Sequence, residues 1–242
     1  MSVLFAPGFK ASRDKGFIMQ QAIDQLLEQP GIWRATDQGG TRDHASERHI
    51  PTGFSALDSV LPGGGLPPAA LTEILHGRHG MGELQLLMPA LARLSRGGRW
   101  IAMVAPPFLP YAPALAAQGL DLSRVLTVHP GEASQSLWAV EQALRSGTCA
   151  AVLLWPRQCD ERSLRRLQLA AEAGDSLGLL FREQTAAQQR SPAALRLMLE
   201  DSSRERLNVR ILKCRGTPAG SISLDHWAGS PVRQQQALPL EP

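Results

Sequence analysis

From residue 71 onward the chain alternates short, continuous apolar runs with longer segments whose apolar residues recur every three or four positions. Runs such as AVLLW (151–155) and LGLLF (177–181) show no polar–apolar alternation, the pattern of strands covered on both faces. This patterning predicts strands at Leu71–Leu75, Trp100–Ala105, Arg124–Val128, Cys149–Trp155, Ser176–Phe181, Leu195–Glu200 and Leu207–Lys213. Helices are expected at Glu83–Ser95, Tyr111–Gln118, Ser134–Ser146 and Glu161–Ala173, with a further short one at Gln184–Arg190. Strands that alternate with helices over such a length imply an α/β fold, a mainly parallel sheet flanked by helices.

The flanks read differently. Ile18, Ala22, Ile23, Leu26 and Leu27 fall at helical spacing within 17–29, and Pro30 stops that run. Almost nothing apolar occurs from Arg34 to His49. The expected layout is an N-terminal helical segment at 1–33, a flexible linker at 34–49, a core at 50–224 and a disordered tail at 225–242.

Composition narrows the function classes. At 43% hydrophobic residues, the 242-residue chain can bury a core. No apolar run approaches the roughly 20 residues that span a bilayer, and no signal-type apolar region follows Lys10, Arg13 and Lys15, so a cytoplasmic location and no membrane partner are expected. Cys149, Cys159 and Cys214 are too few and scattered for a disulfide framework or a metal site, and no metal is expected. The net charge is only +3, yet just three of the 25 basic residues are lysines. Arginine suits bidentate contacts to phosphate or carboxylate, but a coding bias toward Arg and Ala gives the same excess.

The turn after the first predicted strand carries the sharpest chemistry. Gly77 and Gly82 frame a G-x-x-x-x-G phosphate loop, with Gly80 between them. The next two residues should be Lys, for the outer phosphates, and Ser or Thr, for magnesium. They are Glu83 and Leu84. Replacing a cation with an anion changes the local charge by two units, and Leu84 cannot ligate a metal. Glu83 would also suit a helix N-terminus. The strand that should end in a magnesium-binding Asp ends in Trp155, and the one that should deliver a water-polarising carboxylate ends in Pro106-Pro107. The loop is a degenerate one, without ATPase chemistry, and no cofactor is expected. No catalytic residue set stands out.

The residues resemble a RecA core. IPTGFSALD (50–58), LPGGGLP (61–67) and LTEI (71–74) look like the entry to that fold, and Gly119-Leu120-Asp121 and Ala193–Arg196 match it further on. More specifically, GMGELQLLMPAL (80–91), PPFLPYAPALAAQGLDL (106–122), RRLQLAAEAG (165–174), SPAALR (191–196) and LKCRG (212–216) resemble the ImuA family of the RecA/SulA-like superfamily. That resemblance implies a RecA-like fold and a non-catalytic scaffold in SOS mutagenic translesion DNA synthesis and repair. The implied partners are an ImuB-type inactive polymerase homologue, an error-prone C-family DNA polymerase, the RecA filament and DNA.

It also implies site residues. Lys213 and Arg215 match a basic pair that in RecA reaches the neighbouring subunit's ATP, and form a candidate partner edge. The first DNA loop would shrink to Pro156–Asp160, and the second would fall near Arg182–Ser191, with Gln184 where RecA couples nucleotide state to DNA. Arg182 and Arg190 are thus candidate DNA-facing residues, and Arg162, Arg165 and Arg166, which share one predicted helix, are further candidates as a phosphate-facing stripe. For the three helical arginines a solvated face paired with Glu161 and Glu172 is an equal reading. Two alternatives remain open: an inhibitor like SulA, acting on the division GTPase, and a single-stranded DNA-binding protein.

Overall fold

The computed structural model describes residues 49–80, 82–131, 133–156, 158–200, 206–214 and 220–225. These belong to one contact unit, His44–Pro242. The expected N-terminal helix, nearly all of the linker, the C-terminal tail beyond Asp225 and Arg215 lie outside the described residues.

Eight strands form one sheet: β1 (Leu71–His76), β2 (Trp100–Val104), β3 (Val125–Val128), β4 (Cys149–Leu154), β5 (Leu177–Glu183), β6 (Leu195–Leu199), β7 (Arg206–Cys214) and β8 (Gly220–Asp225). Their spatial order is β3-β2-β4-β5-β1-β6-β7-β8. The first six in that order run parallel, and β7 and β8 extend the sheet antiparallel. The mixed α/β fold expected from the patterning is present.

The helices among the described residues are α1 (Ser55–Asp58), α2 (Met88–Arg96), α3 (Ala112–Ala117), α4 (Ala133–Arg145) and α5 (Glu161–Ala173). Successive strand residues point to opposite faces, so the core divides in two. Ile101, Met103, Leu153 and Leu179 pack with α2 residues such as Leu91. Ala102, Val104, Val152 and Leu154 pack with Val140 and Leu144 of α4 and Leu164 and Leu167 of α5.

Three expectations need correction. The helix expected at Glu83–Ser95 is a 3₁₀ turn at Gln85–Leu87 followed by α2 from Met88. Pro89 has no backbone N–H and fits only a first helical turn, which fixes where α2 starts. Glu83 is therefore not at an α-helix N-terminus. The second is β8, which pairs along β7 from Arg206↔Asp225 to Ile211↔Gly220 and was not anticipated. At Gln184–Gln188 the expected helix is a 3₁₀ turn.

The entry segment is held by its own motif residues. Ile50 and Leu66 exchange backbone hydrogen bonds. The Thr52 hydroxyl donates to Asp58 Oδ1 at 2.7 Å and accepts from Phe54 N–H at 3.1 Å. Gly65 leaves no room for a side chain: a Cβ there would lie 2.3 Å from the Ile50 carbonyl oxygen.

Candidate functional site

Loops leaving the carboxyl ends of β1 to β5 enclose a cleft of about 1160 Å³, the edge where open α/β sheets place ligands. One wall is His76, the last residue of β1, with His79 beyond it, and another is Ala105–Pro107, after β2. His129 and Trp155 contribute from the ends of β3 and β4, and the stretch from Phe181 to Arg190 closes it from β5. Ala105 turns the chain there with φ of 51°, a left-handed conformation that a non-glycine residue adopts at a cost.

The degenerate loop folds onto itself. Glu83 is buried, and its Oε1 accepts the Gly80 N–H at 2.8 Å. An internal carboxylate thus occupies an amide that a phosphate would use, while Glu83 Oε2 is buried with no hydrogen-bond partner. Gly80 and Gly82 take positive φ, 82° and 101°, a tight-turn geometry that glycine permits. Gln184 lies against Gly77. Leu84 is half-buried and packs on the core. These residues do not fit a magnesium nucleotide: the anion site is taken, and Glu83 and Leu84 supply neither the cation nor the hydroxyl ligand that such a loop needs.

His76 is 2% exposed, and both ring nitrogens are sealed from solvent. Burial pushes its pKa down, against the opposing pull of Glu83, so the imidazole is held neutral. The His79 ring lies 4.7 Å away, and Phe108 approaches His79 edge-on at 6.2 Å. Trp155 stacks flat on Phe181, with ring centroids 4.4 Å apart and planes 8° from parallel. Pro107 is exposed on the rim. Burial pushes the Cys159 thiol up to about 11, so it is a poor nucleophile.

Behind the cleft lies a charge cluster that sequence reasoning missed. Glu73, in the middle of β1, is fully buried between Arg182 of β5 and Arg196 of β6. Arg182 donates to Glu73 Oε1 at 2.7 Å, to the Cys159 carbonyl at 3.0 Å and to Gln189 Oε1 at 2.7 Å. Arg196 donates to Glu73 Oε2 and to the carbonyls of Ala186, Ala187 and Gln189. A lone acid and two lone arginines inside otherwise apolar strands were the available signal.

This geometry corrects one proposed DNA contact. Arg182 is 6% exposed, and its guanidinium is committed to Glu73 and the 184–190 segment, so it cannot present itself to a nucleic acid backbone. Arg165 pairs with Glu161 and Arg166 with Glu141 across to α4. Arg162 and Arg190 are exposed, Arg190 on the cleft. Lys213 is exposed on β7 and donates to the Ser191 carbonyl at 2.8 Å.

Residues 70–178, from the start of β1 into β5, match a family model described as "Cell division inhibitor SulA". The cell division inhibitor SulA of Pectobacterium atrosepticum is 30% identical over 133 residues, 54% of this chain and 76% of that protein. The chain belongs to the SulA family. SulA of Edwardsiella piscicida is 37% identical over 102 residues; the match spans 42% of this chain and 61% of that relative's length. The RecA protein of Streptomyces avermitilis is 27% identical over 186 residues, 76% of this chain and 48% of that protein. Among solved structures, SulA from Pseudomonas aeruginosa is 30% identical, covering 48% of this chain and 99% of that one, with a TM-score of 0.41.

SulA-family membership, with RecA as a wider relative, places the chain in the RecA/SulA-like superfamily. It overturns the translesion reading: the matches carry the description of a division inhibitor. The ImuB-type and C-family polymerase partners, and with them the RecA filament and DNA, are withdrawn as expected partners. The mutagenesis role goes with them. No described helix is long and apolar enough to cross a membrane.

Proposed function

We propose that this chain is a SulA-type inhibitor of cell division that binds the division GTPase and acts without catalysis of its own. The observation that carries the reading is the family match over 70–178. That span contains the whole degenerate loop and four of the five strand ends around the cleft. The captured Gly80 N–H and the anion at Glu83 support the non-catalytic half, because a binding protein needs no magnesium nucleotide. The resemblance to ImuA rests on the quoted segments alone and carries no function here.

The test is regulated overproduction in a rod-shaped bacterium, followed by cell length, with the purified protein added to the division GTPase in parallel. Filamentous cells and a dose-dependent fall in GTP hydrolysis are the expected results. Normal cell length at matched protein levels, with unchanged GTP turnover, would overturn the proposal.

A further inference from the structure

From Ile101 to Leu120 the chain carries no charged side chain and no histidine. The first part of that stretch, Ile101–Val104, is buried in β2. The part that leaves the sheet is not. Phe108, Leu109 and Tyr111 are 72%, 82% and 70% exposed. In α3, which follows directly, only Leu115 is buried, while Ala112, Pro113, Ala116 and Ala117 face solvent. Apolar residues exposed singly are ordinary, but a loop and helix exposed together without a charge form a patch that marks an interaction site. We propose that residues 106–117 are the self-association surface of this chain, a two-fold interface in which Phe108, Leu109 and Tyr111 of two copies pack together.

Charge points to a second copy as the occupant. Unlike partners are steered and selected by complementary charge, and this surface offers none. An uncharged apolar surface meets its own copy without like-charge repulsion, as an isologous interface requires. The charges that bound the stretch are engaged inside the subunit. Arg99 donates to the carbonyls of Cys149, Gly174 and Asp175, and the Asp121 carboxylate accepts from Ser123.

Area agrees. Taking about 200 Å² for a whole aromatic side chain, Phe108 and Tyr111 together leave roughly 300 Å² in water. Leu109 and α3 carry the patch toward about 600 Å², the upper end for the largest patch on a typical monomer. A stable dimer buries about 800 Å² per partner. Leu122, on the 3₁₀ turn against which α3 packs, and Leu126, on the end strand β3, are also exposed and supply the remainder. Docking costs little order, because Pro106, Pro107, Pro110 and Pro113 already fix their φ angles and the His79 ring meets Phe108 edge-on.

The experiment is sedimentation equilibrium of the full chain from about 1 to 100 μM, a range that brackets a micromolar Kd. The mass should rise with concentration from that of one chain to that of two. Leu109→Asp and Tyr111→Asp, both at exposed positions, should melt with the parent yet weaken dimerisation roughly thirtyfold or more, as loss of a central anchor does. Leu169→Asp, at a 61% exposed apolar position on α5, should leave the dimer intact. A monomer at every concentration would overturn the proposal, as would a dimer that survives both loop substitutions or one that Leu169→Asp dissolves equally. Loss of GTPase inhibition through Leu109→Asp in a chain that stays monomeric throughout would assign the patch to the division GTPase instead.

Discussion

Glu83 reaches back three residues and accepts the Gly80 N–H at 2.8 Å, so the loop is closed by its own carboxylate. Supplying the missing cation should not restore ATP chemistry. In Glu83→Lys, Leu84 still cannot ligate magnesium, and Trp155 and Pro107 still stand where carboxylates would be needed. Phosphate release from magnesium ATP should stay at the buffer background. Turnover above it would show that the other two losses matter less than argued.

Glu73 with Arg182 and Arg196 makes a different prediction. Removing the acid leaves two guanidinium groups buried without a counter-charge, and breaking a buried pair in this way costs about 3–5 kcal/mol. Glu73→Leu should therefore lower the denaturant midpoint strongly, by more than Arg165→Ala, whose exposed i,i+4 pair is worth about 0.3–0.5 kcal/mol. Because Arg196 also holds the Ala186, Ala187 and Gln189 carbonyls, Arg196→Met should make the 184–190 segment the first site of proteolytic cleavage. Equal midpoints for Glu73→Leu and Arg165→Ala would refute the cluster's role.

The α/β class and seven of the eight strands were legible because continuous apolar runs flanked by amphipathic segments leave few other folds. The missed strand, β8, lies on the antiparallel end of the sheet, and its short polar-alternating run SISLD carries little signal against coil. At the site, the defects at Glu83 and Leu84 could be read directly because they replace residues of known chemistry. Arg182 was misplaced because sequence reveals a charge but not its partner; Glu73 is 109 positions away along the chain. The His76 environment was equally hidden, since sequence shows a histidine but not its burial.

Packing between α4 and α5 should be sensitive at Gly174. A Cβ there would sit 1.9 Å from the Leu144 carbonyl oxygen and 2.9 Å from its carbon, both backbone atoms that cannot swing away. Gly174→Ala must push the end of α4 from the turn after α5, a strain of about 1–3 kcal/mol by the usual cost of overpacking. Thermal unfolding should show a clear drop in midpoint. Gly220→Ala, with nothing within 4 Å of the added carbon, is the matched control and should shift little.

His76 gives the pH dependence. Its pKa is lowered from the ordinary 6.5 chiefly by burial, to which His79 adds, while Glu83, a hydrogen bond with the Arg78 backbone and Glu183 oppose the shift. With a folded-state pKa below the unfolded one, the unfolded chain binds more protons over the interval between them, so stability rises with pH there. This contribution is complete above the unfolded value of 6.5 and is lost as pH falls through the interval to the folded pKa. Denaturation midpoints measured from neutral to mildly acidic pH should fall for the parent and fall less steeply for His76→Leu, which has no proton to take up. Superimposable pH profiles would mean that the imidazole is protonated as readily in the folded protein as in the unfolded chain.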